Sequence, residues 1–166
     1  MRRSVRPEIP AAGQESVWAY PRPPRLVRSD REVVVRAGDQ VVARTGEAWR
    51  VLETSHPPTW YLPRSSVLES ALSPSARAST TCEWKGAATY WDVLGPDGRH
   101  DGAAWSYQRP TAGFRPITGH LAFLATEFQC TVDGELVRPQ PGGFYGGWIT
   151  DDVVGPFKGI PGSWGW

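Results

Sequence analysis

Short apolar runs separated by turn residues recur along this chain, a pattern that predicts strands. Glu32-Val33-Val34-Val35-Arg36 is β-branched, Ala37-Gly38-Asp39-Gln40 reads as a turn, and Val41-Val42-Ala43-Arg44 returns, which predicts a hairpin. Ala48 to Glu53 is too brief an apolar run to separate a short helix from a third strand. Thr59-Trp60-Tyr61-Leu62 is predicted as a strand between Pro57-Pro58 and Pro63. Ser65 or Ser66 is placed to cap a short helix with Leu68 and Leu72, four apart, on its apolar side, ended by Pro74. Beyond a Ser/Ala-rich loop, Ala87 to Val93 and Ala103 to Tyr107 read as strands around the Gly95-Pro96-Asp97-Gly98 turn. Ile117 to Leu124 is apolar around Gly119 and His120. Cys130-Thr131-Val132 and Glu135-Leu136-Val137 then flank Asp133-Gly134, a preferred hairpin dipeptide.

The expectation is a mainly β protein, one domain of short antiparallel strands in two packed sheets. With 166 residues the chain has room for one proper core and not for two comfortable ones. Residues 1–16 carry no period and are expected to be a flexible tail. The domain is placed at 17–138 and opens on an aromatic and proline-rich arm, Val17 to Pro24. Residues 139–166, rich in Gly, Pro and Trp, are expected to form a second extended arm packed by Trp148, Trp164 and Trp166. Two faint echoes run through the chain: Trp18-x-Tyr20-x-x-Pro23 recurs as Trp105-x-Tyr107-x-x-Pro110, and Lys85-Gly86 as Lys158-Gly159.

Composition narrows the function classes. A formal net charge of +1, with 21% of residues charged, gives no field that would draw nucleic acid or an anionic membrane. No apolar stretch reaches membrane-spanning length, and the Arg and Pro of the N-terminus do not make a secretory signal. Two cysteines are too few for a disulfide scaffold or a four-thiolate zinc site, so a reduced, cytoplasmic protein is expected, with no metal and no cofactor assigned. Nine Trp against five Phe favours a lined pocket, because indole combines a flat apolar ring with a polar edge. A Trp-rich core is the alternative.

The densest chemistry lies in Thr80-Thr81-Cys82-Glu83-Trp84-Lys85-Gly86-Ala87-Ala88-Thr89-Tyr90-Trp91. On one straight strand Cys82, Trp84 and Tyr90 would share a face, with Glu83, Lys85 and Trp91 on the other, and thiol and amine could not cooperate. In a turn closed before Gly86 the first and fourth residues approach within about 7 Å. The ammonium would then favour the thiolate. The turn is preferred, since Gly86 supplies backbone freedom and the strand pattern starts only after it.

These residues, together with Trp18-x-Tyr20-Pro21-Arg22-Pro23-Pro24, Glu53-Thr54-Ser55-His56-Pro57-Pro58, Tyr61-Leu62-Pro63, Trp105-Ser106-Tyr107, Pro116 to His120, and Pro141 to Trp148, resemble the bacterial family called domain of unknown function 427 in its longer, actinobacterial-type form. The resemblance runs from Trp18 to the C-terminus. It implies a β-tent type of fold, similar to the Mss-four-like group that includes methionine sulfoxide reductase B and the thalidomide-binding domain of cereblon. Those relatives carry zinc on two Cys-x-x-Cys knuckles, which are missing from this sequence, so the resemblance implies a zinc-free version held by core packing. Many family members have Pro after the motif cysteine where this chain has Glu83. A nucleotidyltransferase-like label attached to the family finds no support in the residues. There is no phosphate-cradling glycine loop, Asp151 and Asp152 are adjacent, and Asp133-x-Glu135 is explained by the hairpin turn.

Three functional expectations follow. The leading one is a site for a small flat or anionic molecule, with Lys85 holding the anion and Trp84, Tyr90, Trp91, Trp105 and Tyr107 as aromatic walls. The second is an enzyme with Cys82 as nucleophile, Lys85 lowering its pKa and His120 moving protons. The third is a protein-interaction module, including a homodimer, working through the C-terminal arm. Each has an ordinary counterpart: a small buried Cys82, a surface pair of Lys85 with Glu83, rings packed as core, and a satisfied core His120.

Overall fold

The structure, a computed structural model, describes residues 4–166; the first three residues of the expected tail lie outside them. In chain order the strands are β1 (Glu15–Ser16), β2 (Arg25–Ser29), β3 (Val33–Ala37), β4 (Gln40–Thr45), β5 (Ala48–Leu52), β6 (Thr59–Tyr61), β7 (Leu72–Pro74) and β8 (Thr80–Cys82). They continue as β9 (Gly86–Gly95), β10 (Gly98–Ser106), β11 (Leu121–Phe123), β12 (Gln129–Val132), β13 (Glu135–Leu136), β14 (Arg138–Pro139), β15 (Trp148–Ile149) and β16 (Val153–Val154). The molecule is mainly β, as its turn-punctuated runs predict, and the ambiguous Ala48 to Leu52 run is a strand. Three antiparallel sheets carry most of it, in the orders β13-β12-β3-β4, β2-β5-β6 and β11-β10-β9-β7, with β8 also paired to β9. This is a finer division than the pair of sheets expected.

Local chemistry accounts for the hairpins. Gly38 and Asp39 join β3 to β4, and Pro96 and Asp97 join β9 to β10. Asp133 and Gly134, at φ 48° and 81°, form the left-handed two-residue turn that an Asp-Gly dipeptide favours. The expected helix after Pro63 is replaced by two 3₁₀ turns, Arg64–Ser66 and Glu69–Ala71. Sheet pairing overrides it: Val67 bridges to Ala43, the Leu68 N–H donates to Val42 O at 2.8 Å, and Leu72 opens β7 against β9. The Ser66 hydroxyl donates to Pro63 O instead of capping a helix.

Period-two alternation splits the β9–β10 sheet into two faces with different work. One face, with Val93 and Ala104, joins Trp60, Leu62, Leu121, Phe123 and Val33 and Val35 of β3 in the main core. The other, with Ala88, packs on Tyr61, Tyr107, Phe114, Ile117 and Ala122. Reciprocal 2.8 Å backbone hydrogen bonds between Leu62 and Leu121 tie the β2-β5-β6 sheet to this sheet. At the β10 bulge, buried Asp92 accepts from the Gly102 N–H at 2.7 Å and from Arg99 at 2.6 and 3.0 Å.

The two ends of the chain meet. β1 runs parallel to β16, and the Glu8 N–H donates to Gly155 O at 2.8 Å. In the C-terminal arm β15 pairs with β14, and Trp148 is buried in the main core. Trp166 sits edge-on against Trp18. Trp164 does not anchor the arm as expected: it is 67% exposed, and its aromatic neighbours among the described residues are Phe144 and Tyr145.

One ion cluster makes stability pH-dependent. His100 Nδ1 lies 2.9 Å from Glu127 and Nε2 3.1 Å from both Asp97 oxygens. Burial disfavours its charged form, yet the hydrogen bonds and charges of Glu127 and Asp97 outweigh it and raise the pKa above 6.5. A raised folded-state pKa contributes stability that is complete below the unfolded value and lost as pH rises through the folded one. His56 and His120 are shifted the opposite way. The stability gap between the native protein and His100→Gln is therefore expected to be widest below about pH 6 and to narrow above it. Urea midpoints taken across that range check this, and a gap independent of pH would refute the assignment.

Candidate functional site

The central stretch adopts the turn. β8 pairs with β9, Cys82 opposite Gly86, so Glu83-Trp84-Lys85 is a three-residue connection. The following loop secures it: Thr111 Oγ1 donates to Trp84 O at 2.6 Å, and the Thr111 N–H donates to Lys85 O at 3.2 Å. Cys82, Trp84 and Lys85 thus reach the same cleft, of about 390 Å³. In the β9–β10 register Tyr90 is opposite Trp105, and Tyr107 follows on the same face, so these three rings join the wall.

Two predicted residues lie elsewhere. Trp91 follows Tyr90 on the strand and therefore faces the main core, where its Nε1–H donates to Ser106 Oγ at 3.0 Å and the Arg64 guanidinium lies 4.9 Å from its ring. His120 does not line the cleft; its Nδ1 is 3.3 Å from Thr118 O and partial burial lowers its pKa. The arrangement thus unites Cys82 with Lys85 but not with His120. Among the described residues Lys85 has no carboxylate within ion-pair distance, so the pair with Glu83 is not formed. Its Nζ lies 5.5 Å from the centre of the Tyr107 ring.

The floor is built of neutral donors. The buried Tyr61 hydroxyl accepts from Trp105 Nε1–H at 3.3 Å and has the Tyr107 hydroxyl as a second hydrogen-bonding neighbour. Burial raises the pKa of both Tyr61 and Tyr107, so both phenols keep their protons. At the side, the Arg77 guanidinium is 4.0 Å from the Tyr90 ring centre, and Tyr90 OH pairs with Thr80 Oγ1 at 2.6 Å.

The opposite wall was missed from the sequence. The loop after β5 contributes Glu53 and His56, clamped by both ends of the chain: the Ser55 N–H donates to Val17 O, and the Lys158 N–H to Ser55 O. From the C-terminal arm come Gln140, Phe144, Tyr145, Gly146 and Lys158. Gly146 lies flat on Trp105, where a Cβ would sit 2.7 Å from Cζ2, so no other residue allows that approach. His56 stands edge-on to Tyr145 at 4.7 Å, with Nδ1 3.0 Å from Gln140 Nε2 and Nε2 3.5 Å from Glu53. Burial, then the charges of Lys158, Arg22 and Lys85, push its pKa down to about 4. The lining holds three cations, Arg77, Lys85 and Lys158, against two carboxylates, Glu53 and Glu83.

Among the described residues no group of three or more His, Cys, Asp or Glu side chains is placed to hold a metal ion. Cys82 and Cys130 are unpaired, and burial raises the Cys130 pKa. No helix in the described residues is long and apolar enough to cross a membrane.

A sequence model of the family described as a domain of unknown function (DUF427) matches residues 25–138. The cleft residues of the C-terminal arm lie beyond that match. No curated protein is similar enough to the chain to match it.

Proposed function

The chain belongs to the family described as a domain of unknown function (DUF427), and from that premise and its cleft we propose that it binds a small planar anion against Lys85 and the rings of Trp84, Trp105 and Tyr107. The observation that carries this reading is the excess of cations in a ring-lined cleft, with Lys85 unpaired among the described residues. An ammonium already engaged by a protein carboxylate would have little left to offer a ligand. Free of one, it makes a charge-assisted hydrogen bond with a carboxylate or phosphate. The indole and phenol faces supply apolar area for a flat ring. Tyr61 and His56 add neutral donors, and an acceptor-rich guest satisfies them.

Thermal shift with 3-phenylpropanoate and with phenethylamine tests the sign of the ligand. At 100 times the dissociation constant a ligand stabilises by about 2.7 kcal/mol, or about 2–4 °C for each kcal/mol in a chain of this size. The anion is expected to raise Tm and the amine to leave it unchanged. Lys85→Ala and Trp105→Ala are each expected to weaken the anion about tenfold or more. Equal shifts in the native protein and both variants would remove this cleft as the site.

A further inference from the structure

We propose that His56 reads the ligand, donating its Nε2–H to a carbonyl oxygen, so that the class recognised is an aromatic acid bearing an oxo group as well as its anionic group. This rests on the anion-binding reading above and adds the second contact. The amide orientation of Gln140 is forced. Its Oε1 accepts from the Gly147 N–H at 3.0 Å and its Nε2 donates to Lys158 O at 2.9 Å, so a flipped amide would set oxygen against oxygen and N–H against N–H. The amide nitrogen is a donor only. His56 Nδ1, 3.0 Å from it, must therefore be the acceptor, and the single proton of the neutral ring sits on Nε2.

Among the described residues that proton has no acceptor at well-formed hydrogen-bond distance. Glu53, its nearest carboxylate, lies at 3.5 Å, beyond a well-formed hydrogen bond, and is shared with Arg22 Nε at 3.4 Å. The charged groups facing the ring are Glu53, Lys158, Arg22 and Lys85, with the Tyr145 phenol edge-on to it, and burial first, then the three cations, keep it neutral well below pH 7. A neutral imidazole with a tautomer set by its neighbour donates without changing charge. It distinguishes a carbonyl acceptor from a methylene, while Lys85 takes the anion.

The test compares phenylpyruvate with 3-phenylpropanoate, which differ by one carbonyl oxygen, by calorimetric titration. The native protein is expected to prefer phenylpyruvate about tenfold, the effect of one hydrogen bond in a partly buried site. In His56→Phe the preference is expected to fall to about one, and in His56→Gln, whose amide keeps a donor, to return in part. The native preference is expected to stay flat from about pH 5 to 8, because the ring is neutral throughout. Equal binding of both acids would overturn the role of His56 and leave the anion site standing, whereas binding of neither would overturn both. A preference that survives in His56→Phe, or that grows as pH falls through 6.5, would also sink the proposal.

Discussion

Trp148→Ala is expected to cost about 3–5 kcal/mol, the range for truncating a large buried aromatic. Trp148 is 1% exposed, stacks on Trp60 with centroids 6.3 Å apart, and donates its Nε1–H to Phe123 O at 2.9 Å. Its backbone N–H donates to Pro58 O at 2.8 Å. The alanine variant loses the ring contacts and the Phe123 carbonyl loses its donor at once. Trp148→Phe separates the two, since it keeps most of the ring and orphans only the carbonyl, for about 1–3 kcal/mol. Urea midpoints with an unchanged slope measure both. Against a total of about 5–15 kcal/mol for a domain, the alanine variant approaches unfolding. A loss below about 1 kcal/mol would show that the C-terminal arm lies on the domain without being part of its core.

Gly159→Ala is expected to damage stability and the cleft together. The arm crosses itself at Pro141 and Gly159, where a Cβ would lie 2.7 Å from the Pro141 carbonyl carbon and closer still to its oxygen. Both are backbone atoms and cannot swing aside. Gly159 also has φ +117°, a region that L side chains avoid. Strain of this kind costs about 1–3 kcal/mol, and forced overpacking typically another 1–3. The crossing carries Gln140 on one segment and Lys158 on the other, so moving it also displaces the groups that set the His56 tautomer. Gly162→Ala is the control: its φ is +82° but nothing lies within 4 Å of its Cβ, so it measures backbone strain alone. Gly159→Ala is expected to lower the urea midpoint further than Gly162→Ala and to weaken 3-phenylpropanoate binding, whereas equal effects would show that the crossing yields without harm.

Much of the cleft was legible residue by residue. Lys85, Trp84, Tyr90, Trp105 and Tyr107 line it together with Cys82. Trp91 could have been excluded on alternation alone, because two adjacent strand residues cannot share a face. The helix expected around Leu68 and Leu72 failed for the opposite reason: its local signals were sound, but pairing of Val67 with β4 and Leu72 with β9 satisfied more backbone groups. His120 drew attention as a histidine beside a glycine, yet nothing local could say which way its loop faces. His56 stood in the quoted Glu53 to Pro58 motif, and Lys158-Gly159 in the echo of Lys85-Gly86. Their use was hidden because both need partners far along the chain: His56 needs Gln140, 84 positions away, and Lys158 lines the cleft with Lys85.

Read from residue order, the chain settles its turns, its β character and the two faces of its long hairpin. These follow from φ preferences, side-chain period and the chemistry of dipeptides such as Asp133-Gly134, all of which act over a few bonds. Assembly of the cleft was left to the fold, since Glu53, Lys85, Tyr107, Gln140 and Lys158 come from separate elements. Packing around Trp148 and the Pro141–Gly159 crossing brings them together, and the geometry of that packing depends on contacts between segments far apart along the chain.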